Sequence, residues 1–138
     1  MTITLSTVQL WVEDQDEALA FYTRKVGWVV RSDQTMPQLG NFRWLAVGPR
    51  DQPDISVVLM AVPPVPVMDE QTAAQVRELT RKGFAGTLFL TTSDCQAAYR
   101  ELSGRGVEFL GPPEQQPFGI DAAFRDPSGN YVHVTQLA

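Results

Sequence analysis

The 138-residue chain has one cysteine, one histidine and 11 lysines and arginines against 16 acids. Each scarcity excludes something. A lone Cys95 rules out an internal disulfide and a thiolate metal cage. A lone His133 rules out any centre that needs two imidazoles from one chain, such as two histidines and a carboxylate on iron. The net charge of −5 and the absence of a Lys/Arg cluster argue against a phosphate backbone as partner. No apolar run approaches the roughly 20 residues of a membrane span, and the first residues lack a basic region followed by an apolar stretch. The chain therefore reads as cytoplasmic, with no nucleic acid and no membrane among its partners. Cys95 falls at an expected helix start, where a thiolate could be favoured.

What is present is an internal repeat. "ITLSTVQLWV" (3–12) has the composition of a strand. Asp14 then stands where a helix cap belongs, with Glu17 three positions on, and Gly27 can end that helix. Strands are expected at 28–33, 42–48 and 54–62. The second half starts again with a strand at 87–92 and a helix capped near Ser93 or Asp94. Strands at 107–110, 119–125 and 130–137 complete it. At an offset of about 80, Thr7 aligns with Thr87, Leu10 with Leu90, Asp14 with Asp94 and Ala18 with Ala98. Farther on, Val58 aligns with His133 at an offset of about 75. The prolines at 63, 64 and 66 break the chain between the copies, and Asp69 can cap a polar surface helix ending at Gly83. The reading is an α+β chain of two tandem βαβββ modules: module one 1–62, a linker with a helix 63–84, and module two 85–138. "DPSG" (126–129) is a type I turn by residue type, with Pro127 at its first central position.

The stretches "VQLWVEDQDEALAFYTRKVGW" and "FRDPSGNYVHV", in that order around the repeat, resemble the glyoxalase/bleomycin-resistance/dioxygenase (vicinal oxygen chelate) superfamily. The resemblance implies that each module curls its sheet into a half-barrel with helices outside. In metal-dependent members, four strands each send a ligand to one metal. The matching positions are Thr7, Val58, Thr87 and His133, where the family usually has His, Gln or Glu. Valine offers no donor and a neutral threonine hydroxyl is a weak one, whereas zinc or iron needs about three good ligands. No cofactor or metal is therefore expected, and Asp121 is the acid best placed to be recruited if one binds.

A half-barrel without ligands becomes a cavity, and strand alternation predicts its wall. Thr7, Gln9 and Trp11 share a face, as do Val58 and Met60, Thr87 and Phe89, and Tyr131 and His133. These nine residues are the expected ligand-binding set; the same residues could instead fill a closed core. Arg43, Trp44 and Phe118, in the turn-rich stretches 31–44 and 111–121, are rim positions able to grip a planar or anionic ligand. The function expected is metal-free binding or sequestration of a small, partly aromatic molecule, as in the drug-sequestering homodimers of that family. The alternative is a metal-dependent lyase, isomerase or extradiol-type dioxygenase with an atypical site.

Overall fold

A computed structural model describes residues 1–138. β1 (Thr7–Val12), β2 (Val29–Met36), β3 (Phe42–Gly48) and β4 (Ser56–Ala61) form one sheet, in the order β1-β4-β3-β2. β5 (Thr87–Thr91), β6 (Glu114–Gln116), β7 (Gly119–Arg125) and β8 (Tyr131–Leu137) form the other, in the order β5-β8-β7-β6. In both sheets the first strand pairs in parallel with the last, and the other pairings are antiparallel. The parallel pairing requires a crossover, which α1 (Gln15–Ala20) and α3 (Cys95–Gly104) supply in the two copies. Neither sheet closes on itself as a barrel.

The repeat extends to single residues. Asp14 Oδ1 accepts from the Glu17 amide at 2.9 Å, and Asp94 Oδ1 from the Ala97 amide at 3.0 Å, so both crossover helices carry the same cap. Gln9 lies opposite Val58 and Phe89 opposite His133. Val58 and His133 are therefore the same position in the two copies. Between the sheets' sequences, α2 (Glu70–Lys82) is capped by Asp69, and Gly83 ends it in the left-handed conformation.

One core of 16 buried residues serves both sheets. Leu10, Val12, Val57 and Leu59 reach it from the first sheet, and Phe124, Val132 and Val134 from the second. Aromatic rings make the junction: Tyr22 stacks on Trp28 with centroids 5.2 Å apart, and Phe21 meets Phe124 at 5.9 Å. No helix is long and apolar enough to cross a membrane.

Three local expectations are corrected. The first helix does not run regularly to Gly27: after Ala20 it widens into a π-helical turn over Phe21–Lys25, which places Phe21 and Tyr22 in the core. Residues 107–110 are not a strand but make a single bridge, Phe109 to Phe124, and the second strand of that copy is Glu114–Gln116. Pro112 and Pro113 stand immediately before that strand and delay its start, because proline cannot donate to a ladder. The stretch 31–44 is mostly a hairpin, β2 with β3, whose turn uses Gly40 and Asn41 at positive φ.

Candidate functional site

Alternation along each strand separates a core face from an open one. Leu10, Val12, Val57 and Leu59 point to the core. Thr7, Gln9, Trp11, Ser56, Val58 and Met60 therefore occupy the other face of the first sheet. Trp11 is opposite Met60. At this end of the strands the chain leaves β4 through "VPPVPV" and folds over the opening. A pocket of about 530 Å³ results. Its floor is Gln9, Trp11 and Met60; one wall is the hairpin Leu39–Arg43, and the other is the proline-rich strap Val62–Val67.

Of the nine expected residues, Gln9, Trp11 and Met60 line this pocket. Thr7 and Val58 sit farther along the same strands, and Val58 is only 2% exposed. Thr87, Phe89, Tyr131 and His133 lie together on the second sheet, outside the pocket. Within the one chain, the expected set thus falls into two groups on two sheets.

The strap and Gln15 are lining residues that strand alternation did not indicate. The prolines read only as strand breakers, yet Val65 and Val67 beside them are exposed apolar side chains with no strand or helix to bury them, and that is the signal. Gln15 holds the pocket's edge: its amide donates to the Leu59 carbonyl at 2.9 Å and to the Arg43 carbonyl at 3.2 Å. Arg43 lines the pocket, but its charge is already engaged. Its Nε and NH2 donate to both oxygens of Asp33, and NH1 donates to Asp16 at 2.7 Å. The Asp33 bonds come first in raising the guanidinium's pKa, and the same bonding lowers that of Asp33. Three of the guanidinium's five N–H donors are taken and two carboxylates balance its charge, so Arg43 shapes the rim rather than gripping an acid. Phe118 is half exposed, between β6 and β7 and away from the pocket.

On the second sheet, Phe89 stacks on His133 with centroids 5.4 Å apart and planes 19° apart. His133 Nδ1 is 2.9 Å from Asp121 Oδ2, and the Thr135 hydroxyl donates to Asp121 Oδ1 at 2.7 Å. Tyr131 lies under the Arg125 guanidinium at 4.8 Å. Cys95 departs from expectation: it is fully buried, and its thiol donates to the Val134 carbonyl. Burial first, then the negative charges of Asp121 and Asp94, raise its pKa, so the thiolate is disfavoured.

A family-type metal does not fit these residues. No three His, Cys, Asp or Glu side chains gather anywhere in the chain. His133 and Asp121 are a pair, and Asp121 is bonded to Thr135 as well. The position equivalent to His133 in the other copy is Val58, which has no donor atom.

A family model describing the Glyoxalase/Bleomycin resistance protein/Dioxygenase superfamily matches residues 4–134, and the chain belongs to that superfamily. Among solved structures, UcmS2 is 44% identical with a TM-score of 0.88, each chain covered to 99%. TnmS3, an antibiotic binding protein from Streptomyces sp. CB03234, is 31% identical with a TM-score of 0.72, covering 100% of this chain and 99% of its own. The uncharacterized protein YurT of Bacillus subtilis (strain 168) is 31% identical over 127 residues, 92% of this chain and 94% of that one.

Proposed function

We propose that this protein binds and sequesters a small, partly aromatic molecule without a metal. The observation that carries the reading is the open pocket of about 530 Å³ floored by Trp11 and Met60 and walled by Phe42, prolines and valines, with the Gln9 and Gln15 amides as its polar groups. A mostly apolar wall with a few placed polar groups is the make-up of small-molecule sites. The likeness to an antibiotic binding protein over the whole chain supports the same reading. The donor set described above supports its metal-free part.

The working unit in this proposal is a cytoplasmic homodimer. Phe118 and Leu137, 53% and 64% exposed at one end of the second sheet, are the kind of apolar surface that a second copy would cover. Light scattering on the purified protein tests that assembly.

A thermal-shift screen against planar aromatic compounds, with Met60→Trp alongside, tests the binding. A true ligand at a hundred times its Kd adds about 2.7 kcal/mol to wild-type stability. The indole at position 60 fills the pocket and removes that gain while the variant stays folded. A panel without any stabilising compound refutes the proposal, as does stoichiometric transition metal in protein purified without chelator.

A further inference from the structure

The second sheet carries a polar arrangement that the pocket of the first does not use. Three rows of side chains cross its open face by strand register: Thr87, Tyr131 and Arg125; Phe89, His133 and Ala123; Thr91, Thr135, Asp121 and Glu114. At the centre stands the chain's one imidazole. Asp121 accepts at Nδ1 of His133 with one oxygen and from Thr135 with the other. The His133 side chain is 32% exposed and that of Asp121 only 14%. A carboxylate on Nδ1 holds the ring proton there and leaves the lone pair on Nε2. Nε2 has no partner among the hydrogen bonds His133 makes. Beside it, Phe89 lies flat against the imidazole and turns its other, exposed face outward.

We propose that this face is a hydrogen-bonding site for an aromatic hydroxyl, of the phenol or enol class. Nε2 of His133 accepts the hydroxyl proton as a hydrogen bond, and Phe89 contacts the ring that carries it. A methyl ether of the same shape has no proton to give and is discriminated against. The proposal rests on the reading that the protein binds a small aromatic molecule, and names the group that such a molecule presents here.

Two measurements test it, both in metal-free buffer. The first needs no ligand. With a single histidine, ¹⁵N-histidine labelling gives one imidazole spectrum, expected to show a protonated Nδ1 and an unprotonated Nε2 in the neutral ring. Asp121→Asn should release that preference. The second compares 2-naphthol with 2-methoxynaphthalene by fluorescence titration. The hydroxyl compound should bind about tenfold tighter, the value of one net hydrogen bond. His133→Phe should bring the two to parity. A proton on Nε2, equal affinities in the wild type, selectivity that survives His133→Phe, or no binding of 2-naphthol each overturns the proposal. Equal affinities would leave small-molecule binding itself standing, whereas failure of both probes and of the whole thermal-shift panel would remove both readings.

Discussion

Replacing Asp126 by asparagine should destabilise the protein more than its conservative chemistry suggests. The residue is 5% exposed and ties the turn between β7 and β8 to Tyr22 of the first module. Its Oδ1 accepts from the Ser128 and Asn130 amides, each at 2.9 Å. Its Oδ2 accepts from the Tyr22 hydroxyl at 2.9 Å and from Asn130 Nδ2 at 3.0 Å. Asparagine has only one oxygen. If it serves the two backbone amides, its NH2 group faces the Asn130 NH2 and the Tyr22 hydroxyl, and the two buried donors that Oδ2 served lose that acceptor. Rotating Asn130 would turn its own oxygen, now unpartnered, toward that group. The rotation would break the 2.7 Å bond from Asn130 to the Trp11 carbonyl. The opposite placement of the new amide strands two backbone donors. The orphaned donors and the weakening of charge-assisted bonds together cost about 2–4 kcal/mol. For a chain of this size that lowers Tm by roughly 8–15 °C. Tyr22→Phe removes one bond and leaves Oδ2 with Asn130, so it should cost only about 1–2 kcal/mol. Urea and thermal unfolding followed by circular dichroism measure both. The reasoning fails if Asp126→Asn lies within about 0.5 kcal/mol of the wild type, the ordinary range of surface changes. It fails equally if Tyr22→Phe is the costlier of the two.

The same network sets an alkaline limit. Burial, then the charge of Asp126 and its hydrogen bond, push the Tyr22 phenol well above its ordinary 10.0. The unfolded chain therefore ionises first: the contribution is whole below about pH 10 and is lost as pH rises beyond it, so Tyr22→Phe should remove part of the alkaline fall in stability. Gly129 has φ +107°, and a Cβ there would stand 2.5 Å from the Thr80 carbonyl oxygen. Gly129→Ala should thus cost at least about 2 kcal/mol in urea unfolding, and a smaller loss would mean that α2 yields easily. Cys95 should resist alkylation in the native protein over times that label it fully in denaturant, because its thiol is buried and its pKa raised. Rapid native labelling would show that the start of α3 opens.

The architecture was readable because its signals are local and repeated. Asp14 and Asp94 announce two helix starts, and "DPSG" announces a turn that the Asp126 carbonyl closes with the Gly129 amide at 3.0 Å. Strand alternation put Gln9 and Trp11 on one face of β1; in the structure both line the pocket, while Leu10 and Val12 between and beside them enter the core. Less of the site was readable. A turn motif does not disclose that its aspartate also holds Tyr22, 104 positions away. The strap over the pocket is irregular backbone, and no periodicity encodes where such a segment lies. The engagement of Arg43 depends on Asp16 and Asp33, which are distant in sequence and meet only when β2, β3 and α1 assemble. The widening of the first helix at Phe21 is a backbone change that residue spacing does not signal.

The two copies differ most where their equivalence is clearest. Val58 and His133 face the third residue of the first strand in their respective sheets. The neighbours of each suit it. Around Val58 the face offers Gln9, Trp11 and Met60, and the strap that follows β4 adds apolar walls. Around His133, Asp121 and Thr135 provide a bonded carboxylate–hydroxyl pair, and Phe89 adds an apolar ring. A buried valine needs no partner, whereas a part-buried imidazole is stable only if its polar atoms are served. Placing histidine at position 58 would therefore bury an imidazole without an equivalent of Asp121, and placing valine at position 133 would leave Asp121 one donor short. Each face is internally consistent and neither can exchange this residue alone. This is why an apolar pocket on one sheet and a hydrogen-bonding surface on the other follow from one duplicated plan.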